Sequence, residues 1–228
     1  METILNWSSG KDAALAYYTL QNDDRYNVSS LLTTVNQEKD RVVMHGVRKE
    51  LLLTQADRMN MPITTLELPP SPSHDVYSTY MSKTLTGFVD KGVEAAAFGD
   101  IFLEDLKKYR EEQLSTIGLK AVFPLWKKDT RALISIIEEV GIDATVICVD
   151  GSVLGKEFLG RKVDRSFMND LPEGVDPCGE NGEFHSFVYY APYFSSAIGL
   201  EKGEVVHTHY QNQKDSAGFY FLDIYEQK

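Results

Sequence analysis

The stretch Thr3-Ile4-Leu5-Asn6-Trp7-Ser8-Ser9-Gly10-Lys11-Asp12-Ala13 governs the reading of the whole chain. Its apolar first half predicts a strand over 3–7. Ser8, Ser9 and Gly10 then make a tight turn, and a helix opens at Lys11 and Asp12. A small, glycine-containing turn lets backbone N–H groups converge on an anion, and the helix N-terminus adds free donors and the positive end of its dipole. That dipole contributes only about 0.3–1 kcal/mol at an exposed site. Lys11 therefore matters as a mobile full charge, and Ser8 and Ser9 as further donors. Asp12 is out of place beside an anion unless it holds a divalent cation, and magnesium takes one or two carboxylates together with phosphate oxygens. The competing reading is a plain strand–turn–helix junction, with Ser9 and Gly10 shaping the turn and Asp12 capping the helix. A Walker A loop is excluded, because Lys11 is followed by Asp12 rather than by Ser or Thr.

Outward from this junction, strand-like and helix-like segments alternate. Apolar strands are predicted over 3–7, 28–35, 63–68, 95–98, 121–123 and 144–149, and amphipathic helices over 12–21, 47–59, 76–91, 102–116 and 130–140. Over 47–59, Val47, Leu51, Ala56 and Met59 recur at helical spacing, with Arg48, Lys49, Gln55 and Arg58 between them. Such alternation predicts an α/β fold, βα units around a doubly wound parallel sheet, and the short apolar strands agree with burial on both faces. After Asp150 the pattern changes. Residues 151–170 read as helical and charged, 171–182 as a loop rich in Pro, Gly and acids, and 184–190, 205–210 and 219–225 as strands, with Lys214-Asp215-Ser216-Ala217-Gly218 as a turn signal. The expected organisation is an α/β domain over 1–150 with a smaller α+β lobe over 151–228 packed on it.

The chain has 228 residues, 43% hydrophobic and 25% charged, enough apolar content for a sizeable core. No run approaches the roughly 20 apolar residues of a membrane span, and Met1-Glu2-Thr3-Ile4-Leu5 lacks the basic start of a signal peptide. The expected location is cytoplasmic. A net charge of -11 argues against a broad electrostatic grip on nucleic acid, so any polyphosphate must be held by a local site. The two cysteines, Cys148 and Cys178, form no CxxC pair, and Cys148 sits in an apolar strand that reads as core. Zinc is disfavoured: Cys178 and His185 lack obvious partner ligands, and His207 and His209 alternate with Val206 and Thr208 as strand residues do. His45 and His74 read as loop or helix-end residues.

Two further clusters carry chemistry. Gly99-Asp100 follows the predicted strand 95–98, at the strand end where ligands collect in open α/β sheets. Glu104, Asp105, Lys107, Lys108, Tyr109, Arg110 and Glu111 come next on a helix. By itself that run reads as a solvated charged face. The second cluster is Gly179-Glu180-Asn181-Gly182-Glu183-Phe184-His185, where two glycines bracket polar groups at a sharp turn before a strand. It could orient an amine, assist proton transfer or complete a metal site, and a plain β-turn is the alternative.

The loop resembles the S-G-G-K-D-S signature of the PP-loop ATP pyrophosphatases, which split ATP between its α and β phosphates. Phe98-Gly99-Asp100-Ile101-Phe102-Leu103-Glu104-Asp105 with Tyr109-Arg110-Glu111, Phe123-Pro124-Leu125-Trp126, and Asp176-Pro177-Cys178-Gly179-Glu180-Asn181-Gly182-Glu183-Phe184-His185 resemble the diphthine–ammonia ligase family within that group, particularly its bacterial ATP-binding relatives. The likeness spans nearly the whole chain, in order. Ser9 stands where the signature has Gly and Ala13 where it has Ser. Ser9 suits the loop if its backbone angles stay in an ordinary region, while Ala13 removes one hydroxyl donor.

The resemblance implies an adenine nucleotide alpha hydrolase-like fold and ATP with Mg2+ as cofactors. It implies a nucleotide site at Ser8, Ser9, Gly10, Lys11, Asp12, Ala13, Gly99 and Asp100, with Asp12 on the metal. Catalytic roles would fall to Lys11, Asp12, Asp100 and Glu183, and substrate contacts to Tyr109, Arg110, Glu180, Asn181, Glu183 and His185. The implied reaction is attack of an acceptor carboxylate on the α-phosphate, departure of pyrophosphate, and capture of the acyl-adenylate by ammonia. Free ammonia is the expected donor, since neither cysteine suits a glutaminase. An adenylating enzyme with another small-molecule or RNA substrate, and a nucleotide-binding regulator without turnover, are the alternatives. A homodimer is the assembly that the resemblance suggests.

Overall fold

In a computed structural model describing residues 1–208 and 218–227, the chain forms two sheets sharing one large core. Strand β1 (Glu2–Asn6) is central to the first sheet, with Thr3, Ile4 and Leu5 all fully buried. Its neighbours are β2 (Asn27–Asn36) on one side and β5 (Ala95–Ala97) on the other, both parallel to it. Strand β4 (Ile63–Leu68) extends the sheet beyond β2, and β6 (Lys120–Val122) extends it beyond β5, again in parallel. The two-residue β3 (Arg41–Val42) runs antiparallel against the end of β2. From β1 the chain therefore builds outward through β2 and β4, then returns to the opposite side of β1 for β5 and β6. The ends of β1 and β5 flank the point where the winding reverses, which leaves a crevice at their carboxyl ends.

Helices cover both faces, as buried strands require. Helices α1 (Lys11–Gln21) and α2 (Lys49–Arg58) pack on one face with Leu5 and Trp7, while α3 (His74–Val89) and α4 (Glu104–Ser115) pack on the other with Ile4 and Phe98. The switch from Ile4 to Leu5 between the two clusters is the period-two alternation of a strand buried on both sides.

The expected strand 144–149 does not join the parallel sheet. Strand β7 (Asp143–Asp150) instead pairs antiparallel with β8 (Phe184–Tyr190) and β10 (Phe219–Glu226), and β9 (Leu200–Thr208) completes a second sheet in the order β8-β7-β10-β9. An apolar run fits a buried strand of either kind, and only its long-range partners decide which. Before it, α5 (Thr130–Val140) starts at Asp129, whose side chain accepts from the Ala132 N–H at 2.8 Å, and ends at left-handed Gly141. The helical reading of 151–170 is also corrected. A single 3-10 turn at Lys156–Phe158 and a short α6 (Arg165–Asp170) are all that form. Gly160, at φ 74, turns the chain between them. Residues 209 and 210 of the last predicted strand pair, His209 among them, and 214–217 of the turn lie outside the described residues. Phe184, Phe187 and Val188 of β8 join α1 in the large core, so the second sheet packs directly against α1.

Candidate functional site

The turn between β1 and α1 is held from three sides. The Trp7 N–H donates to the Leu32 carbonyl at 2.9 Å, and the Thr33 hydroxyl donates to the Trp7 carbonyl at 2.5 Å. The Ser9 carbonyl accepts from the Val188 N–H at 2.9 Å and from Gln55 Nε2 at 3.1 Å. Ser9 sits at φ 68. The condition under which Ser9 would suit the loop, ordinary backbone angles, is therefore not met: the turn takes a left-handed residue, and a side chain there costs roughly 1–2 kcal/mol. Gly10 then precedes α1 with extended backbone and no side-chain cap, which leaves the first-turn donors of α1 to another acceptor. One is used internally, where Lys11 N–H donates to Ser186 Oγ at 3.2 Å.

Lys11 is 2% exposed, and its Nζ lies 2.9 Å from Asp12 Oδ2, donates to the Cys178 carbonyl and stands 4.9 Å from the Phe184 ring centre. Burial alone would lower its pKa, but Asp12, Cys178 and Glu180 outweigh it, and the net shift is upward. The ammonium therefore stays charged at the base of the site. Asp12 Oδ1 is buried without a hydrogen-bond partner. Gly99, just past β5, packs against the start of α1 so closely that an added Cβ would stand 2.9 Å from the Asp12 carbonyl carbon. Asp100 makes an ion pair with Arg110 at 2.6 Å, and that guanidinium lies 4.2 Å over the Phe98 ring.

The loop before β8 closes the third side. Asp176 Oδ2 accepts from the Cys178 N–H at 3.0 Å and the Glu180 N–H at 3.1 Å. Gly179, at φ 69, lets the loop fold onto Phe184, where a Cβ would come within 2.8 Å of the ring. Glu180 reaches back to accept from the Ile101 N–H at 2.6 Å. Its burial, together with Asp12 and Asp100 nearby, pushes its carboxyl up to about 7. His185 lies against His45 with ring centres 4.4 Å apart and planes tilted by 33°. Burial and the Lys11 charge push His185 down to about 4, and burial, His185 and Lys11 push His45 well below the usual imidazole range, so both are neutral at pH 7.

These groups line one cavity of about 670 Å3, within the range of small-molecule sites. It brings together Ser8, Gly10, Lys11, Asp12 and Ala13 from the first turn, Gly99, Asp100 and Arg110 from the second, and Glu180, Asn181 and His185 from the third. Three of the sequence candidates lie elsewhere. Ser9 is fully buried beneath the turn. Tyr109 lines a smaller slot of about 50 Å3 between α3 and α4, 5.7 Å from the His74 ring. Glu183 spends its carboxylate inside the loop, accepting from Asp176 N–H at 3.0 Å, Asn181 N–H at 3.0 Å and Asn181 Nδ2 at 2.9 Å. The sequence places His45 in a loop and Gln55 among the polar positions of 47–59, and marks neither as a site residue. His45 carried no spacing signal, but Gln55 sits four residues from both Leu51 and Met59, a lone amide on the apolar stripe of α2.

Among the described residues, no group of three or more His, Cys, Asp or Glu could hold a metal alone. Asp12, with one free buried oxygen beside the turn, suits an ion shared with phosphate oxygens, as magnesium prefers.

A strand–turn–helix junction with a buried lysine, at the carboxyl ends of a mostly parallel sheet, defines an α/β protein of the PP-loop type. Comparison with known proteins agrees. The family described as diphthamide synthase N-terminal domain matches residues 1–121, and the diphthamide synthase C-terminal domain matches residues 129–223. The chain belongs to the diphthamide synthase family, that of the diphthine–ammonia ligases. It is 29% identical over 138 residues to the diphthine–ammonia ligase of Schizosaccharomyces pombe, a match covering 59% of this chain and 22% of that protein. To the Danio rerio diphthine–ammonia ligase it is 30% identical over 120 residues, covering 50% of this chain and 47% of that protein. The human enzyme of the same name is 29% identical over 120 residues, covering 50% of this chain and 45% of that protein. The chain thus spans less than half the length of these relatives. No helix among the described residues is long and apolar enough to cross a membrane.

Proposed function

We propose that the chain is an ATP-dependent, AMP-forming carbon–nitrogen ligase that converts an acceptor carboxylate to its amide with ammonia. The observation that carries this reading is the buried Lys11 ammonium at the N-terminus of α1, beside Asp12 with its unsatisfied Oδ1. A polyphosphate in the cradle meets backbone donors and one full positive charge, which stabilise charge as pyrophosphate departs. Asp12 would hold magnesium, which supplies further neutralisation of the phosphates. ATP is spent because a carboxylate is a poor electrophile and its mixed anhydride with AMP a good one. One carboxylate oxygen bonds to the α-phosphorus as the bond to the pyrophosphate oxygen breaks. Ammonia then attacks the acyl carbon, AMP leaves, and the nitrogen gives up a proton.

The surroundings suit that second step. His45 and His185 on the cavity are both uncharged at pH 7 and place no further cation beside Lys11. Both cysteines are buried, and burial pushes the Cys148 thiol up to about 12, so neither resembles the thiolate of a glutaminase. The names of the relatives point to a diphthine-like carboxylate as acceptor class. Incubating the chain with magnesium, ATP, ammonium and a set of carboxylates tests the proposal, with chromatography of the nucleotides as readout. AMP and pyrophosphate formed in step with amide support it. ADP as product, or no nucleotide binding by calorimetry, overturns it.

A further inference from the structure

We infer that Gln55 is a positioning residue that holds the phosphate turn in its anion-binding shape by clamping the left-handed peptide of Ser9. The inference rests on the reading of that turn as the nucleotide phosphate site. Gln55 lies on α2, outside every strand and loop that lines the cavity, and its side chain is fully buried. A buried primary amide costs stability unless its hydrogen bonds are made. Here Oε1 accepts from Trp7 Nε1 at 2.9 Å, while Nε2 donates to the Ser9 carbonyl at 3.1 Å and the Val188 carbonyl at 2.7 Å. One side chain therefore ties the residue before the turn, the strained residue within it, and β8 of the second sheet.

The need for such a clamp follows from Ser9. A non-glycine residue at φ 68 persists only where its surroundings over-determine it. The Ser9 hydroxyl is turned back onto the Ser8 carbonyl, and its own carbonyl is pinned by Gln55 and Val188. Rotating that peptide out of the left-handed region would break both bonds and move the Gly10 N–H off Ser8 Oγ, which it meets at 3.4 Å at the mouth of the turn. A glycine at position 9 would meet no such steric penalty. Gln55 and Ser9 are thus coupled: the clamp matters because the turn carries a side chain.

That coupling separates a positioning role from plain core packing. Gln55→Met keeps the bulk of the side chain and deletes its hydrogen bonds. Mg-ATP affinity by titration calorimetry, and the midpoint of thermal unfolding, are measured for the original chain, Q55M, S9G and the double variant. The expected result is at least a tenfold loss of affinity when Q55M is made in the original chain, and less than a threefold loss when it is made in the S9G background. Loss of melting temperature should be similar in both backgrounds, because the Trp7 indole and Val188 carbonyl lose their partner either way. An equal affinity loss in both backgrounds, or a melting shift with affinity within twofold of the original, overturns the inference. If Q55M does not fold, Gln55→Asn, an amide one methylene shorter, goes through the same cycle, and failure of both to fold assigns Gln55 to folding alone. If the original chain binds no Mg-ATP, the functional reading itself has failed. Binding by the original chain with an uncoupled cycle sinks only the clamp.

Discussion

The Glu180 carboxylate accepts the backbone N–H of Ile101 at 2.6 Å, joining the loop before β8 to the loop after β5. Burial, with Asp12 and Asp100 close by, raises its pKa from 4.5 to about 7, although the N–H groups of Ile101 and Phe102 pull the other way. Between those limits the folded chain holds a proton that the unfolded chain has released. The Glu180 contribution is fully present below about 4.5 and is lost as pH rises through about 7. Glu180→Gln keeps an acceptor for Ile101 and removes the titration. Urea unfolding across that window should show a flatter pH dependence for E180Q than for the original chain. Parallel curves would refute the assigned shift.

Gly99 and Gly87 should respond oppositely to alanine. A Cβ at Gly99 would press on the Asp12 backbone at 2.9 Å, whereas nothing lies within 4 Å of a Cβ at Gly87 in α3. Gly99→Ala should destabilise by about 1–3 kcal/mol through overpacking and weaken Mg-ATP binding by displacing the start of α1. Gly87→Ala should stabilise by roughly 0.5–1 kcal/mol through helix propensity. Denaturant midpoints measure both, and an unaltered midpoint for G99A would show that the contact yields.

Lys11→Met and Asp12→Asn should separate the roles of the two adjacent charges at the start of α1. Removing Lys11 deletes a charge-assisted contact of about 1.5–3 kcal/mol, so Mg-ATP affinity should fall roughly 10- to 100-fold. Asp12→Asn should instead abolish most of the gain in ATP affinity that magnesium gives, leaving metal-free binding near its original level. Titrations with and without magnesium decide. A D12N chain that still gains fully from magnesium would remove Asp12 from the metal.

Ala13→Ser adds a hydroxyl at a first-turn position that lines the cavity. One added neutral hydrogen bond is worth about 0.5–1.5 kcal/mol, so ATP should bind roughly 2- to 10-fold more tightly. Equal affinity would show that the phosphates lie beyond reach of position 13.

Much of this was legible from residue order. Small residues after an apolar strand, followed by Lys11 and Asp12, specify a turn and a helix start through local sterics alone. The alternation of apolar and amphipathic segments likewise fixes parallel βα units, since each strand must hide two faces. Tertiary structure alone decided the rest. It sent β7 into the antiparallel sheet, because an apolar strand accepts either kind of partner. It turned Glu183 inward onto its own loop and put Tyr109 in a separate slot, because one turn of helix or loop decides which way a polar side chain faces. It also forced Ser9 into a left-handed bend and set Gln55, 46 positions away, beneath it. Periodicity reports which residues are buried, but what a buried polar group bonds to depends on chain segments that only folding brings together.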